Sequence, residues 1–266
     1  MDRISIIGLG WLGLPLAQAL QARGFSVAGS CTTPEKSQQL SVAGIRATCW
    51  NGDSGEPVPE TLCAETMILT LPPSRCQDYL GLLQRLLSQF AEAGCQQLIL
   101  ISSTSVYGAA ATGHEEAEPC PDSARGERML HAEQLVRTSR ILQWAILRPA
   151  GLFGPGRHPG RFLSGKATDD GRAPVNLVHL VDVVGILLLI LQQQRWGEVF
   201  NACAPAHPSR REFYSQACDR LAIPRPLFGH EAASGKQIDG SKVERMLGYS
   251  YQIPDPLAWL SSQPDV

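Results

Sequence analysis

The chain of 266 residues has no C-x-x-C pair; its eight cysteines (31, 49, 63, 76, 95, 120, 203, 218) are scattered. That spacing argues against a zinc site or a disulfide framework and for reduced thiols. No His/Cys/carboxylate spacing points to a metal either, and none is expected. Charge is sparse, at 18% charged residues and a net charge of −2, so no overall field would recruit nucleic acid or an anionic membrane. Long apolar runs are missing too. The longest, Val181 to Leu191, is broken by Asp182 and Gly185 and is too short to span a bilayer; it reads as a buried helix. Internal repeats and low-complexity segments are absent from the sequence. The N-terminus enters a strand and a glycine turn instead of a basic leader with an apolar segment, so a cytoplasmic location is expected. What remains, with 44% apolar residues, is a globular protein able to bury a substantial core.

The stretch that organises the chain is Ile4-Ser5-Ile6-Ile7-Gly8-Leu9-Gly10-Trp11-Leu12-Gly13-Leu14-Pro15-Leu16-Ala17. A strand-length apolar run enters a turn with glycines at 8, 10 and 13, and a leucine- and alanine-rich helix follows. The three glycines of G-x-G-x-x-G serve in turn a tight bend, close approach of backbone to a pyrophosphate, and close packing of helix on strand. The free N–H groups and positive dipole end of the helix then meet the phosphates, which places Trp11 and Leu12 beside them. If the helix begins near Trp11 or Leu12, Pro15 lies in its first turn, where a missing N–H costs nothing. On this reading Gly13→Val is expected to abolish dinucleotide binding and leave the fold intact.

Strand and helix signals then alternate. Strands are predicted at Phe25–Gly29, Ile45–Trp50, Met67–Leu71, Leu98–Ile101 and Trp144–Leu147. The run at 67–71, apolar but for Thr70, suits a parallel sheet covered on both faces. Asp78 to Ala93 is amphipathic, with Leu82, Leu83, Leu86, Leu87 and Phe90 at helical spacing and Gly94 to end it. A second helix is predicted over Glu127–Val136. The rhythm predicts an α/β fold, a Rossmann-type doubly wound parallel sheet with a small, mixed C-terminal substrate-binding portion. Residues 1–150 are expected to form the nucleotide-binding domain. Residues 151–266 would complete it, at about 176–202, and supply the reduced substrate-binding portion. In open α/β sheets ligands lie at the carboxyl ends of the strands, so Leu71, Pro72 and Ser102 join Gly8, Gly10, Trp11, Leu12 and Gly13 as candidate cofactor contacts.

From Ser102-Ser103-Thr104-Ser105-Val106-Tyr107-Gly108 onward the chain resembles the extended short-chain dehydrogenase/reductases, the NAD-dependent epimerase/dehydratase family, which act on nucleotide-sugars. The likeness runs on in order through Leu147-Arg148-Pro149 to Gly154-Pro155-Gly156, Asn176-Leu177-Val178-His179-Leu180-Val181-Asp182-Val183, Phe200-Asn201, and Asp239-Gly240-Ser241-Lys242 with Leu247-Gly248-Tyr249. Nearly the whole chain is covered. The resemblance implies that Ser103 hydrogen-bonds the reacting oxygen and that substrate contacts follow Gly154-Pro155-Gly156.

Three departures accompany the likeness. The glycine loop is one residue shorter than the family's G-x-x-G-x-x-G, and resembles the opening of UDP-sugar dehydrogenases, longer proteins with a helical middle domain that this chain has no room for. Second, the acidic residue that would bind the ribose 2′-hydroxyl of NAD is replaced by Cys31, flanked by Ser30, Thr32 and Thr33, with Lys36 nearby. Hydroxyls and a lysine suit a 2′-phosphate, which leans towards NADP over NAD; the same hydroxyls would also serve as caps for the next helix, with Glu35 completing them. Third, the family's Tyr-x-x-x-Lys is absent. No tyrosine falls between Gly108 and Glu212. Aligned through Glu133, Arg128 takes the lysine's place and Ala124 the tyrosine's. In the family the tyrosine, with a free pKa of about 10, moves the alcohol proton with help from the lysine. Arg128 would hold the nicotinamide ribose and add positive charge but not donate a proton.

The catalytic candidates are therefore Ser103, Arg128 and Tyr107, the last as a substitute acid set against a packing role that the family favours. Arg157, His158, Arg161 and Lys166 are the substrate-binding candidates, because cations on a Gly/Pro-stiffened loop suit a diphosphate or carboxylate; a solvated basic loop is the alternative. Asp182 is expected to cap a helix beginning at Val183, His179 and Asn176 to make family contacts or strand-end hydrogen bonds, and His131 to lie solvated on its helix. The expected function is NAD(P)-dependent oxidoreduction or epimerisation of a nucleotide-sugar-like or other anionic small molecule. The alternative is a redox sensor or regulatory protein that keeps the cofactor site and has lost turnover. No nucleic acid or membrane partner is expected, and the oligomeric state, a homodimer included, is left open.

Overall fold

Short apolar runs that meet helix caps at close intervals leave the chain to alternate strand and helix. The computed structural model describes residues 3–109, 112–113, 119–229 and 235–263. β1 (Arg3–Ile7) enters the glycine turn and α1 (Gly13–Gln21) leaves it, followed by β2 (Ser26–Cys31), α2 (Pro34–Val42), β3 (Arg46–Cys49) and β4 (Thr66–Leu69). Next come α3 (Tyr79–Glu92), β5 (Gln97–Ile101), β6 (Thr112–Gly113), α4 (Ala124–Arg137) and β7 (Gln143–Pro149). The chain continues through β8 (Gly151–Phe153), α5 (Gly160–Leu163), β9 (Ala167–Thr168), β10 (Leu177–His179), α6 (Leu180–Gln192) and β11 (Glu198–Ala202). It closes with α7 (Arg210–Asp219), β12 (Leu227–Phe228), β13 (Gln237–Ile238), α8 (Lys242–Leu247) and α9 (Pro256–Ser262).

Seven strands form one parallel sheet in the order β11-β7-β5-β4-β1-β2-β3. The winding reverses between β1 and β4: Ile4 pairs with Val27 on one side and with Thr66 on the other. That reversal is where ligands bind in a doubly wound sheet, and the glycine turn leaves β1 at its carboxyl end. All of β4 is buried, as a strand covered on both faces requires. α3 buries Leu82, Leu83, Leu86, Leu87 and Phe90; Asp78 caps it by accepting from Gly81 N at 3.0 Å. Just beyond α3, Gly94 has φ +83°, the left-handed conformation that ends helices.

Several boundaries move for local reasons. β2 runs two residues past the expected end, because Thr33, not Ser30, caps α2. β4 stops at Leu69, since Thr70 turns towards the glycine loop. α4 starts at Ala124, three residues early, with the Ser123 hydroxyl accepting from Gly126 N at 3.2 Å.

The chain divides into two compact units, each discontinuous in sequence. Unit 1 holds Met1–Ser102, Arg128–Leu147 and Ile190–Val199; unit 2 holds Ser103–Glu127, Arg148–Leu189 and Phe200–Val266. In unit 2 a core of Phe153, Val175, Leu177, Phe213, Tyr214, Ala217 and Leu260 joins the C-terminal helices to the segment around 150–177. The expected helix at 181–191 is α6, and its cap is a correction. The ring of His179 accepts from Val181 N at 3.2 Å, while Asp182 lies inside the first turn. Fully buried, Asp182 accepts instead from Tyr249 Oη (2.7 Å), Gln252 N (2.6 Å) and Ile253 N (3.2 Å). It anchors the C-terminal segment. All eight cysteines are unpaired. Among the described residues no helix is long and apolar enough to cross a membrane, and no group of three His, Cys, Asp or Glu would hold a metal ion.

Candidate functional site

In unit 1 the loop after β1 is fixed by two hydroxyls. Ser30, at the end of β2, accepts from Gly8 N through its side chain (3.0 Å) and from Leu9 N through its carbonyl (2.7 Å). Thr70, just past β4, donates to Gly8 O at 2.6 Å. Gly8 has φ +108°, which favours glycine. A Cβ on Gly13 would overlap the Gly8 carbonyl oxygen, whereas one on Gly10 would meet nothing within 4 Å. The two glycines therefore differ in kind. Gly13 is needed by the loop itself, so Gly13→Val would damage the turn as well as the binding. Gly10 is exposed and leaves open space beside the backbone, as close approach of a pyrophosphate demands.

α1 begins at Gly13 with no side-chain cap and no acidic residue in its first turn, so its own first turn offers no side chain that competes with an anion. Trp11 is half-buried and Leu12 buried at this entry. Leu71 is half-buried, 3.4 Å from where a Gly8 Cβ would lie, and Pro72 is exposed. These residues fit a dinucleotide.

The hydroxyl and thiol cluster after β2 divides. Ser30 is 3% exposed and holds the loop. Burial raises the pKa of the Cys31 thiol, which points at the carbonyls of Thr33 and Thr48. Thr33 caps α2 by accepting from Lys36 N at 3.3 Å, so Lys36 and not Glu35 occupies the position where a capping box would need an acid. Thr32 alone of these hydroxyls is exposed without a structural duty among the described residues. Ser102 is also a correction: its hydroxyl is buried and donates to the fully buried Glu133 at 2.6 Å, which removes it from the cofactor contacts. Thr70 is the residue that sequence reasoning missed. Its only signal was a hydroxyl ending an otherwise apolar run.

In unit 2 the chain leaves β5 through Ser103, half-buried, whose Oγ accepts from Ser105 N at 3.1 Å. The Ser103 proton stays available for a ligand. Ser105 Oγ is shut from solvent with no hydrogen-bond partner. Tyr107 is 1% exposed; its Oη accepts from Arg148 at 2.7 Å and donates to Asn201 Oδ1 at 3.2 Å, and the guanidinium carbon lies 5.1 Å from its ring centroid. A phenol engaged on both sides in the core is no substitute acid, so the packing role holds and the catalytic assignment of Tyr107 is withdrawn.

Residues 76–203 match the NAD dependent epimerase/dehydratase family, and residues 3–119, which contain the short glycine loop, match the NAD binding domain of 6-phosphogluconate dehydrogenase. Protein YeeZ of Escherichia coli K12 is 39% identical over 97% of this chain and 98% of its own length. The chain belongs to the NAD-dependent epimerase/dehydratase family. Solved structures with this fold include MoeE5 in complex with UDP-glucose and NAD (TM-score 0.76, 23% identity, 96% of each chain). Another is UDP-glucuronic acid 4-epimerase from Bacillus cereus with UDP-glucuronic acid and NAD (TM-score 0.77, 20% identity, 98% of this chain and 97% of that one).

The epimerase/dehydratase member described here carries Ala124 and Arg128 one turn apart on α4, both exposed. They occupy the spacing of the family's Tyr-x-x-x-Lys. His131, on the same helix, is exposed as expected. The basic loop is a tight turn in which Gly154 and Arg157 exchange backbone hydrogen bonds, with φ +146° at Gly154 and +70° at Gly156. Its four candidates separate. His158 turns inward, accepts from Gly160 N at 3.1 Å and lies 6.1 Å from the Trp259 ring; burial first, then Arg161, lowers its pKa. Lys166 closes α5 by donating to Phe162 O at 2.8 Å. Arg157 and Arg161 are exposed, Arg157 over the Phe162 ring at 5.9 Å. Asn176 makes strand-end bonds, to Lys236 O and from Ile238 N, both 2.8 Å. A cavity of about 380 Å³ elsewhere in unit 2 is lined by Cys203, His207, Asp239 and Glu244 among others, and by none of the candidates above.

Proposed function

We propose that the protein is an NAD(P)-dependent oxidoreductase or epimerase/dehydratase-like enzyme acting on a nucleotide-sugar-like or other anionic small molecule. The observation that carries the reading is the glycine loop at the switch point, with open space over Gly10 and an uncapped α1. The backbone of residues 10–13 would hold the dinucleotide, with Leu71 and Pro72 beside it. NADP is the preferred form. At the end of β2 a buried thiol replaces the family's carboxylate, and Thr32 with Lys36 would accept a 2′-phosphate. When bound, the nicotinamide would give or take a hydride at a substrate carbon.

Ser103 would then donate a hydrogen bond to the reacting oxygen, and Arg128 would grip the nicotinamide ribose and add positive charge. A guanidinium keeps its proton at working pH, so with Tyr107 engaged in the core the proton comes from water or from the substrate. Arg157 and Arg161 would bind the anionic end. The UDP-sugars in the MoeE5 and Bacillus cereus structures support this substrate class.

NADPH absorbance followed across nucleotide-sugars and small carbonyls tests the reading. Slow turnover is expected, reduced by about a hundredfold in Ser103→Ala, since one well-placed donor is worth that much. Fast turnover untouched by Ser103→Ala would displace Ser103 from the role. A sensor that binds NADPH tightly and turns nothing over is the second reading, favoured by the exposed alanine at position 124 where the family has its acid.

A further inference from the structure

Among the described residues, the cysteines that lie in sheet strands are Cys31, at the end of β2, and Cys49, at the end of β3. The parallel register sets them directly opposite each other, and Trp50 N donates to Cys31 O at 2.8 Å beside the pair. Residues opposite one another in adjacent strands project from the same face of the sheet. Neighbouring strands lie about 4.8 Å apart, inside the range of about 4.4 to 6.8 Å between Cα atoms that a disulfide spans. Cys31 and Cys49 can therefore be bridged with little movement of the backbone.

The two thiols differ in access. Cys31 is 5% exposed, and its Sγ rests 3.5 Å from the Thr33 carbonyl and 3.9 Å from that of Thr48. Cys49 is exposed, and β3 is the edge strand of the sheet. An oxidant from solvent thus meets Cys49 first, with Cys31 behind it as the second thiol. An accessible cysteine next to a resolving one is the arrangement of redox-sensing thiols, and an exposed bridge is one that small thiols reduce again. The pair also borders the cofactor site. In a doubly wound fold the residue ending the second strand meets the adenosine ribose, and Cys31 stands there, followed by the exposed Thr32. Drawing the Cys31 sulfur to Cys49 takes it from the Thr33 carbonyl, at the N-cap of α2, so the change falls on residues 31–33.

We propose that Cys31 and Cys49 form a redox-reactive dithiol that a small-molecule disulfide closes into a cross-strand bridge, and that the bridge weakens dinucleotide binding. Cys49, as thiolate, attacks one sulfur of glutathione disulfide and releases a glutathione thiolate, which takes up a proton. Cys31 then gives up its proton and attacks the Cys49 sulfur, releasing the second glutathione. Two cysteine thiols are oxidised to one disulfide, and glutathione disulfide is reduced to two thiols. The bridge stands on the strand register alone; its effect on the cofactor rests on the reading of the glycine loop as a dinucleotide site.

The test is to treat the full chain with glutathione disulfide under native conditions, block the remaining thiols and map the peptides by mass spectrometry. A Cys31–Cys49 disulfide is expected, reversed by dithiothreitol and absent in Cys49→Ser. Cys49 left unreacted, joined to another cysteine, or carrying glutathione while Cys31 stays a free thiol overturns the bridge. Calorimetry then compares NADPH binding before and after treatment. Coupling between two sites on one protein is typically fivefold or more, so the bridged wild type should bind NADPH at least about fivefold more weakly. By the same reciprocity, saturating NADPH should shift the glutathione redox titration towards the dithiol by that factor. Cys49→Ser should bind NADPH equally before and after the oxidant. Equal affinity in the reduced and bridged wild type overturns the effect on the cofactor. Absence of NADPH binding in the reduced protein defeats the dinucleotide reading and that effect together, while the peptide map decides the bridge by itself.

Discussion

Two turns, each at the carboxyl end of a sheet strand, are stabilised in different ways. The Gly8–Gly13 turn of unit 1 is held by its own backbone and by Ser30 and Thr70, from the strands on either side of β1. The Ser103–Tyr107 turn of unit 2 depends on Lys236 and on the 122–126 segment, and beneath it lie the buried Arg148, Tyr107 and Asn201. Unit 1 is fixed mainly by apolar strands in register. Unit 2 gathers distant segments through buried polar groups, each of which must be satisfied. The glycine turn thus takes its two hydroxyls from the ends of the sheet strands that flank β1, whereas the Ser103–Tyr107 turn is held from outside the sheet, by Lys236 from 132 positions along the chain.

The hardest way to break that contrast is Asp182→Ala. It leaves Tyr249 Oη and the N–H groups of Gln252 and Ile253 without their acceptor, at a cost of roughly 3–5 kcal/mol for several buried donors together. Urea unfolding and amide exchange should show lost stability with residues 249–262 unprotected first. Unchanged exchange there would remove the anchoring role.

In unit 1 the matching change is paired. Gly13→Val should lower stability by roughly 1–3 kcal/mol, as overpacking does, and abolish NADPH binding. Gly10→Ala should keep the melting temperature and still weaken NADPH at least about tenfold, about 1.4 kcal/mol. Equal affinity in Gly10→Ala and wild type would place the pyrophosphate elsewhere.

Tyr107→Phe narrows the contrast to unit 2. It removes a hydroxyl engaged by Arg148 and Asn201, so about 1 kcal/mol of stability should go, with little change in turnover. A large loss of kcat with stability intact would restore the phenol as an acid.

The smallest effect is set by pH. Burial lowers the pKa of His158, His179 and His207, all in unit 2, with Arg161 adding at His158 and Asp182 and Asp239 opposing at the other two. The unfolded chain then binds more protons, so stability is intact above a pH of about 6.5 and falls as the pH drops below it. Melting curves between pH 7 and 5 should decline, less steeply in His179→Gln. A flat profile would mean the rings titrate as if exposed.

The parallel sheet, the glycine turn and the leucine face of α3 were all legible in the residue order, because period, run length and cap residues are local signals that neighbours within a few residues create. Which of several hydroxyls and cations are spent on the fold emerged only once the chain was packed. Ser30 and Ser102 look alike as strand-end serines, yet one clamps Gly8 and the other satisfies Glu133. Thr33, His158 and Lys166 carry the right chemistry for ligands and use it on helix ends and turns. Lys236 carried no motif at all; it reaches Thr104 across 132 positions of sequence. A hydrogen-bonding group has no preference for ligand over backbone in its residue type. Its partner is set by which distant segment the packed chain brings within about 3 Å of it, and packing is a property of the whole fold.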